Sequence, residues 1–255
     1  MTRYETITCD IDKGIARLTF NRPETLNAMD RRMMDEIIDA LEVITRPGTA
    51  SVGIIAGRGR AFMAGADIKE YSRQTPEQFN LFQEKGRRLY ALIEQAEIPF
   101  IAAVNGFALG GGFEIALACD LIVAAASAKM GLPEVHLGLI PGGGGAQRLL
   151  QRIGIGRVKE MLLLGQSYTA SRMEEWGIVH AVAEDGMLDD VVGALAEKLQ
   201  RRPALAVKAI KAMLEPSGTE APFETRLDRE GVSVAALFHT PEAARLIKQF
   251  TEKSK

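Results

Sequence analysis

From residue 30 onward the apolar side chains Met33, Met34, Ile37, Ile38, Leu41 and Ile44 recur at steps of three and four. That spacing puts them on one face of a helix, which Pro47-Gly48 ends. Ahead of it, 6–11 and 15–20 are short β-branched runs around Asp12-Lys13-Gly14, the pattern of a hairpin, and Asn21-Arg22-Pro23 ends the second run. Residues 51–56 read as a buried strand, left through the loop Gly57-Arg58-Gly59-Arg60. Thr75-Pro76-Glu77-Gln78 combines an N-cap, a proline at the first helical position and a glutamine three residues on, so a long helix is expected from there to about Gln95. Phe79, Phe82, Leu89, Ile93 and Ala96 would form its inward face. Further buried strands are expected at 99–104, 120–125 and 178–182, with helices at 112–119, 146–153, 158–164 and 170–176. Strand and helix alternate, which predicts an α/β layered fold with parallel pairing.

After about Met187 the β signal stops, and 189–201, 203–214, 220–238 and 241–252 all read as helices. Phe223, Leu227, Val234 and Leu237 make one apolar stripe; Ala243, Leu246, Ile247 and Phe250 make another. Isolated helices cannot cover that much apolar surface, so the stripes form either intramolecular core or a subunit interface.

Composition narrows the class. At 255 residues, with 47% apolar and 25% charged side chains, the chain is long enough for a real core, which excludes disorder. A net charge of −2 provides no global field for nucleic acid or an anionic membrane, so any anionic ligand must be caught locally. The longest apolar runs fall short of the roughly 20 residues a spanning helix needs. The first ten residues carry acids and lack the basic start and apolar run of a leader, which points to a cytoplasmic address. Cys9 and Cys119 are far apart in apolar surroundings, as suits reduced packing thiols.

Glycine, at 25 of 255 residues, exceeds the usual share of about 7% and is clustered. Three segments set small residues beside acids: 61–69, 105–114 and 130–145. In the second, Gly110, Gly111 and Gly112 follow a strand and open a helix, where unpaired N–H groups point outward; alternatively they only allow tight helix–strand packing. Neither a phosphate-loop nor a dinucleotide pattern is present. In the first, Ala64-Gly65-Ala66 follows strand 51–56 and leads into a short helix, which Asp67 would cap. Ligands gather beyond the carboxyl ends of strands in such sheets, so one N–H from each loop could converge on a single oxygen and stabilise an enolate or oxyanion. Glu114 stands in the first turn of its helix and Glu134 in a Gly-Leu-Pro-Glu loop. Taken singly, the first serves the helix dipole and the second is solvated; flanking the same loops, the two become a candidate acid–base pair. No metal-binding cluster and no Gly-x-Ser-x-Gly elbow occurs.

These residues resemble the enoyl-CoA hydratase/isomerase (crotonase) family. The resemblance lies in 21–28, in 61–70, in 99–114 and in Gly131-Leu132-Pro133-Glu134 through Gln147-Arg148-Leu149, in family order. It implies a spiral of ββα units over 1–195 and a helical region over 196–255 that builds homotrimers, often paired into hexamers. It implies a coenzyme A thioester as substrate, with coenzyme A part of that substrate and no separate cofactor. By position, Ala66 and Gly111 match the two backbone donors for the thioester oxygen, and Gly110 is expected among the substrate-binding residues. Ala64, Asp67 and Ile68 match the stretch lining the adenine and pantetheine site. Glu114 and Glu134 match the two glutamates of the hydratase branch, and keeping both favours hydratase over the double-bond isomerases and other relatives. Lys69, Arg22, Arg58, Arg60 and Lys248 are candidates for the nucleotide phosphates, and Phe113, Leu132, Leu139 and the segment 71–84 for the acyl pocket. Some relatives bind RNA and a peptidase shares the spiral fold. This chain lacks a basic run interleaved with aromatics, which argues against the first.

Overall fold

The computed structural model describes residues 4–214 and 222–253. The hairpin forms as its turn requires, with Lys13 and Gly14 at φ 48° and 81° between β1 (Ile7–Asp12) and β2 (Ile15–Phe20). Helix α1 (Arg31–Ile44) is capped by the Asp30 carboxylate, which accepts from the Met33 N–H at 2.8 Å, and it buries all six apolar positions of its periodic face. β3 (Val52–Gly57) then enters the sheet, and α3 (Pro76–Glu94) starts on a full capping box at Thr75 and Gln78.

Two sheets organise the chain. The larger has the order β1-β2-β3-β5-β7-β10, with β5 at Phe100–Val104, β7 at Leu121–Ala125 and β10 at Ala181–Ala183. Only its β1–β2 pair is antiparallel. The smaller is β4-β6-β8-β9: Ala61–Met63, Phe107–Leu109, Lys129–Gly131 and Ser167–Thr169. Its first three strands are parallel. Each of β3, β5 and β7 is thus followed by a short strand in the other sheet and then by helix: α2 (Ile68–Tyr71) and α3, α4 (Gly111–Ala118), and α5 (Gly145–Leu164). Three ββα turns stack as a spiral, as expected. The segments read as glycine-rich loops therefore each begin with a three-residue strand, and the strand expected at 178–182 lies at Ala181–Ala183.

Helices α6 (Ala170–Glu175) and α7 (Leu188–Gln200) complete this part. The chain divides into two compact units between Gln200 and Arg201, a few residues beyond the expected boundary. The second unit is helical: α8 (Ala204–Leu214) and two further helices, Phe223–Phe238 and Pro241–Lys253. The expected helix start at Glu220 and the side chains of Phe223 and Phe250 lie outside the described residues. Among the described residues no helix is long and apolar enough to cross a membrane.

Candidate active site

The carboxyl ends of β4, β6 and β8 lie side by side, since Met63 pairs with Ala108 and Leu109 with Gly131. The three suspect loops leave from these ends and so become neighbours. Ala66 forms a parallel bridge with Met29: the Met29 N–H donates to the Gly65 carbonyl at 2.8 Å, and the Asp67 N–H donates to the Met29 carbonyl at 2.9 Å. This pairing turns Ala66's own N–H away from Met29. Gly111 is the first residue of α4, where N–H groups have no partner within the helix. Among the described residues neither amide donates to a protein acceptor. A Cβ on Gly65 would sit 3.3 Å from the Leu109 carbonyl oxygen, and one on Gly110 would sit 3.7 Å from Gly65 Cα. The two loops touch. The triple glycine divides its work: Gly110 and Gly111 face the site, while a Cβ on Gly112 would lie 2.2 Å from the Met63 carbonyl oxygen, so Gly112 serves helix–strand packing.

Glu114 is only 3% exposed. Its Oε1 accepts from the Gly143 and Gly145 N–H groups at 2.8 and 2.9 Å, and the Tyr90 hydroxyl donates to Oε2 at 3.4 Å. Burial pushes its carboxyl above the usual range, against those amides and the charge of Arg148. A Cβ on Gly143 would meet Tyr90 Cε2 at 2.2 Å and Glu114 Oε2 at 2.6 Å, and Gly144 has φ +90°. Only glycine permits this chain path. Glu134 opens a 3-10 turn, Glu134–Leu137, with Oε1 3.1 Å from where a Cβ on Gly110 would be. Its Oε2 is buried and has no hydrogen-bond partner among the described residues. Desolvation first, with the Glu114 charge adding to it, pushes its carboxyl up to about 7. The same pair and burial push the Tyr71 hydroxyl up to about 12.

These groups line one cavity of about 440 Å³. Of the expected site residues, Ala64, Ala66, Ile68, Gly110, Gly111, Glu114 and Glu134 all border it. Asp67 does not: its carboxylate caps α2 by accepting from the Lys69 and Glu70 N–H groups and pairs with Arg22 at 3.4 Å. Arg22 is also bound to Asp30 at 2.9 Å, so its charge is spent inside the protein. Arg58 donates to the Asn21 side chain at 3.2 Å, and Lys248 pairs with Glu252 at 3.8 Å. Phe113 and Leu132 belong to the core and not to the cavity wall, whereas Leu139, Tyr71, Phe79, Phe82 and Gln83 do line it. Sequence reasoning missed Tyr90, Met29 and Met34, which complete the wall, and the amides of Gly143 and Gly145. The run of four glycines, 142–145, was the one local trace of those amides.

Such an arrangement suits enolate chemistry. Two amides without a protein acceptor border the same mostly apolar cavity as two carboxylates, Glu114 buried and clamped and Glu134 half-buried with one buried, unpartnered oxygen. Residues 10–255 match the family described as Enoyl-CoA hydratase/isomerase. The chain is 35% identical to the crotonyl-CoA hydratase of Syntrophomonas wolfei, over 99% of this chain and 97% of that protein. It is 35% identical to the 2,3-dehydroadipyl-CoA hydratase of Escherichia coli, over 92% and 91%. The crystal structure of the enoyl-CoA hydratase from Bacillus anthracis superposes with a TM-score of 0.93 at 34% identity, covering 98% of this chain and 97% of that one.

Proposed function

The chain belongs to the enoyl-CoA hydratase/isomerase family, and from that premise we propose that it is an enoyl-CoA hydratase, adding water reversibly across the 2,3 double bond of an enoyl-CoA thioester. The observation that carries this reading is a pair of carboxylates held in dissimilar ways, Glu114 buried and clamped and Glu134 half-buried with a buried, unpartnered oxygen, on the cavity that two free amides also border. The thioester oxygen accepts hydrogen bonds from the Ala66 and Gly111 N–H groups. Water attacks C3 as its proton passes to ionised Glu114, and the displaced π electrons move onto the thioester oxygen, where the two amides hold the enolate. As the enolate collapses, C2 takes the proton of Glu134 and the 3-hydroxyacyl-CoA is complete; the proton left on Glu114 returns to Glu134 before the next turnover. Charge on that oxygen grows during reaction, so the amides favour the transition state over the ground state. The Gly143 and Gly145 amides keep Glu114 aimed, which supplies orientation.

We also infer a cytoplasmic setting, supported by two cysteines that form no disulfide with each other, and a homotrimeric or homohexameric assembly, supported by apolar helix faces left exposed in the second unit. The direct test follows the loss of conjugated enoyl-thioester absorbance with crotonyl-CoA. No loss with crotonyl-CoA or longer 2-enoyl-CoAs, together with a gain of absorbance from a 3-enoyl-CoA, would replace hydration by double-bond isomerisation.

A further inference from the structure

The glycine loop that clamps Glu114 has little to hold it in place from within. Residues 142–145 are four glycines, the chain type with the greatest backbone freedom. Gly143 and Gly145 donate to Glu114, and the peptide joining Gly143 to Gly144 lies between those two donors. That intervening peptide is held from outside. Arg148, one turn into α5, reaches back and donates from Nη1 to the Gly143 carbonyl at 2.5 Å. Its Nε and Nη2 donate to the two oxygens of Glu94 on α3, at 2.5 and 2.8 Å. Its guanidinium carbon stands 5.3 Å from the centre of the Tyr90 ring, the residue whose hydroxyl donates to the other oxygen of Glu114. The side chain is 15% exposed and does not border the cavity, so it does not touch a bound substrate. A planar fork is needed to meet a carboxylate, a carbonyl and a ring at once, and arginine supplies it where lysine would not.

We propose that Arg148, anchored by Glu94, is a positioning residue for hydration: it fixes the peptide between the two Glu114-clamping amides and braces Tyr90, so that the Glu114 carboxylate keeps one orientation and stays ionised. This inference rests on the hydratase reading. The charged and titratable groups around Glu114 agree with it. Burial opposes ionisation of Glu114, the Gly145 and Gly143 amides and the Tyr90 hydroxyl on α3 favour it through hydrogen bonds, and Tyr71 on α2 and Glu134 on the 3-10 turn bring no positive charge. Arg148 is the cation among the causes acting on Glu114. Arg152, one turn further along α5, donates to the Leu117 carbonyl at 2.8 Å.

The experiment compares wild type with Arg148→Met, Arg148→Lys and Glu94→Gln, each first shown to be folded by its melting transition. Arg148→Met should lower kcat for crotonyl-CoA by roughly tenfold or more while KM changes little. The acidic limb of its kcat–pH profile should move up by about one unit. Arg148→Lys should keep the acidic limb but lose part of kcat, and Glu94→Gln, the milder variant should methionine prevent folding, should move both readouts in the same direction by less. A second readout needs no turnover: the carboxyl band of Glu114 in difference infrared spectra, assigned by its absence in Glu114→Gln, should titrate at higher pH in Arg148→Met. A wild type inactive on every enoyl-CoA but showing that band shift would sink the hydratase reading and leave the ionisation role standing. Active enzyme in which folded Arg148 and Glu94 variants keep the wild-type kcat and acidic limb would overturn the positioning role.

Discussion

Glu114 and Glu134 carry the same side chain in the same cavity, and their surroundings separate them. Glu114 accepts two backbone hydrogen bonds on one oxygen, whereas Glu134 keeps a buried oxygen with no partner and titrates at about 7. Below that pH Glu134 holds the proton that C2 requires, so hydration kcat/KM should fall above about 7, and because the reaction takes up no net proton, dehydration kcat/KM should fall there in the same proportion. Because the two carboxyls interact, the limbs of that profile belong to the pair. Glu134→Gln should reduce turnover by a factor of about 10² to 10⁴. It should also stabilise the fold in a pH-dependent way. The folded protein keeps a proton on Glu134 that the unfolded chain has released, between the ordinary value of 4.5 and about 7. Stability is therefore lost as pH rises through that window. The variant should be more stable than wild type by on the order of 1–3 kcal/mol at pH 8 and nearly equal to it at pH 4, as compared by denaturant titration. Glu114→Gln keeps an oxygen for the Gly143 and Gly145 amides, so it should fold and yet lose at least about 10² in kcat.

At the scale of elements, two helical glycines allow opposite outcomes from one substitution. A Cβ on Gly112 of α4 would stand 2.2 Å from the Met63 carbonyl oxygen, so Gly112→Ala should cost about 1–3 kcal/mol or more as α4 is forced off β4. On Gly86, inside α3, it would meet Tyr90 Cε2 at 3.7 Å and Met34 Cε at 3.8 Å, which is ordinary contact. Gly86→Ala should therefore stabilise by up to about 1 kcal/mol through helix propensity, and paired thermal melts would show the two signs. The sequence made α1 readable from its three- and four-residue steps, α3 from its capping box, and the hairpin and the strands β3, β5 and β7 from β-branched or apolar runs of five or six residues. β4, β6, β8 and β9 are three residues each, too short for any period, and a second sheet therefore escaped notice. α5 read as two helices because Gly154 leaves helical geometry at φ 76°, ψ 160°. The lining of the cavity was legible where it is local to a glycine-rich segment, as at Ala66, Gly111, Glu114 and Glu134. It was not legible where α3 and α5 bring in Tyr90 and Arg148, because long-range packing leaves no mark on spacing.

For the whole molecule, the unit that carries no cavity-lining residue of the site raises its own question. Among the described residues of Arg201–Lys255 none is buried, and Leu227, Val234 and Phe238 are 49%, 64% and 63% exposed. Exposed in this way, the stripe carrying Leu227 and Val234 supports the homo-oligomer proposed above. Val234 and Phe238 are four residues apart on helix Phe223–Phe238, hence on one face. Changing both to glutamate should bury two charges in any contact made there and drive the assembly apart, because unpaired charges at an interface core cost several kcal/mol. In sedimentation velocity the wild type should run at three or six chain masses and the double variant at one. Since association stabilises by mass action, the wild-type melting temperature should rise with protein concentration while that of the variant stays fixed. A wild type that sediments as a single chain, with a melting temperature indifferent to concentration, would return those faces to solvent and remove the oligomer from the proposal.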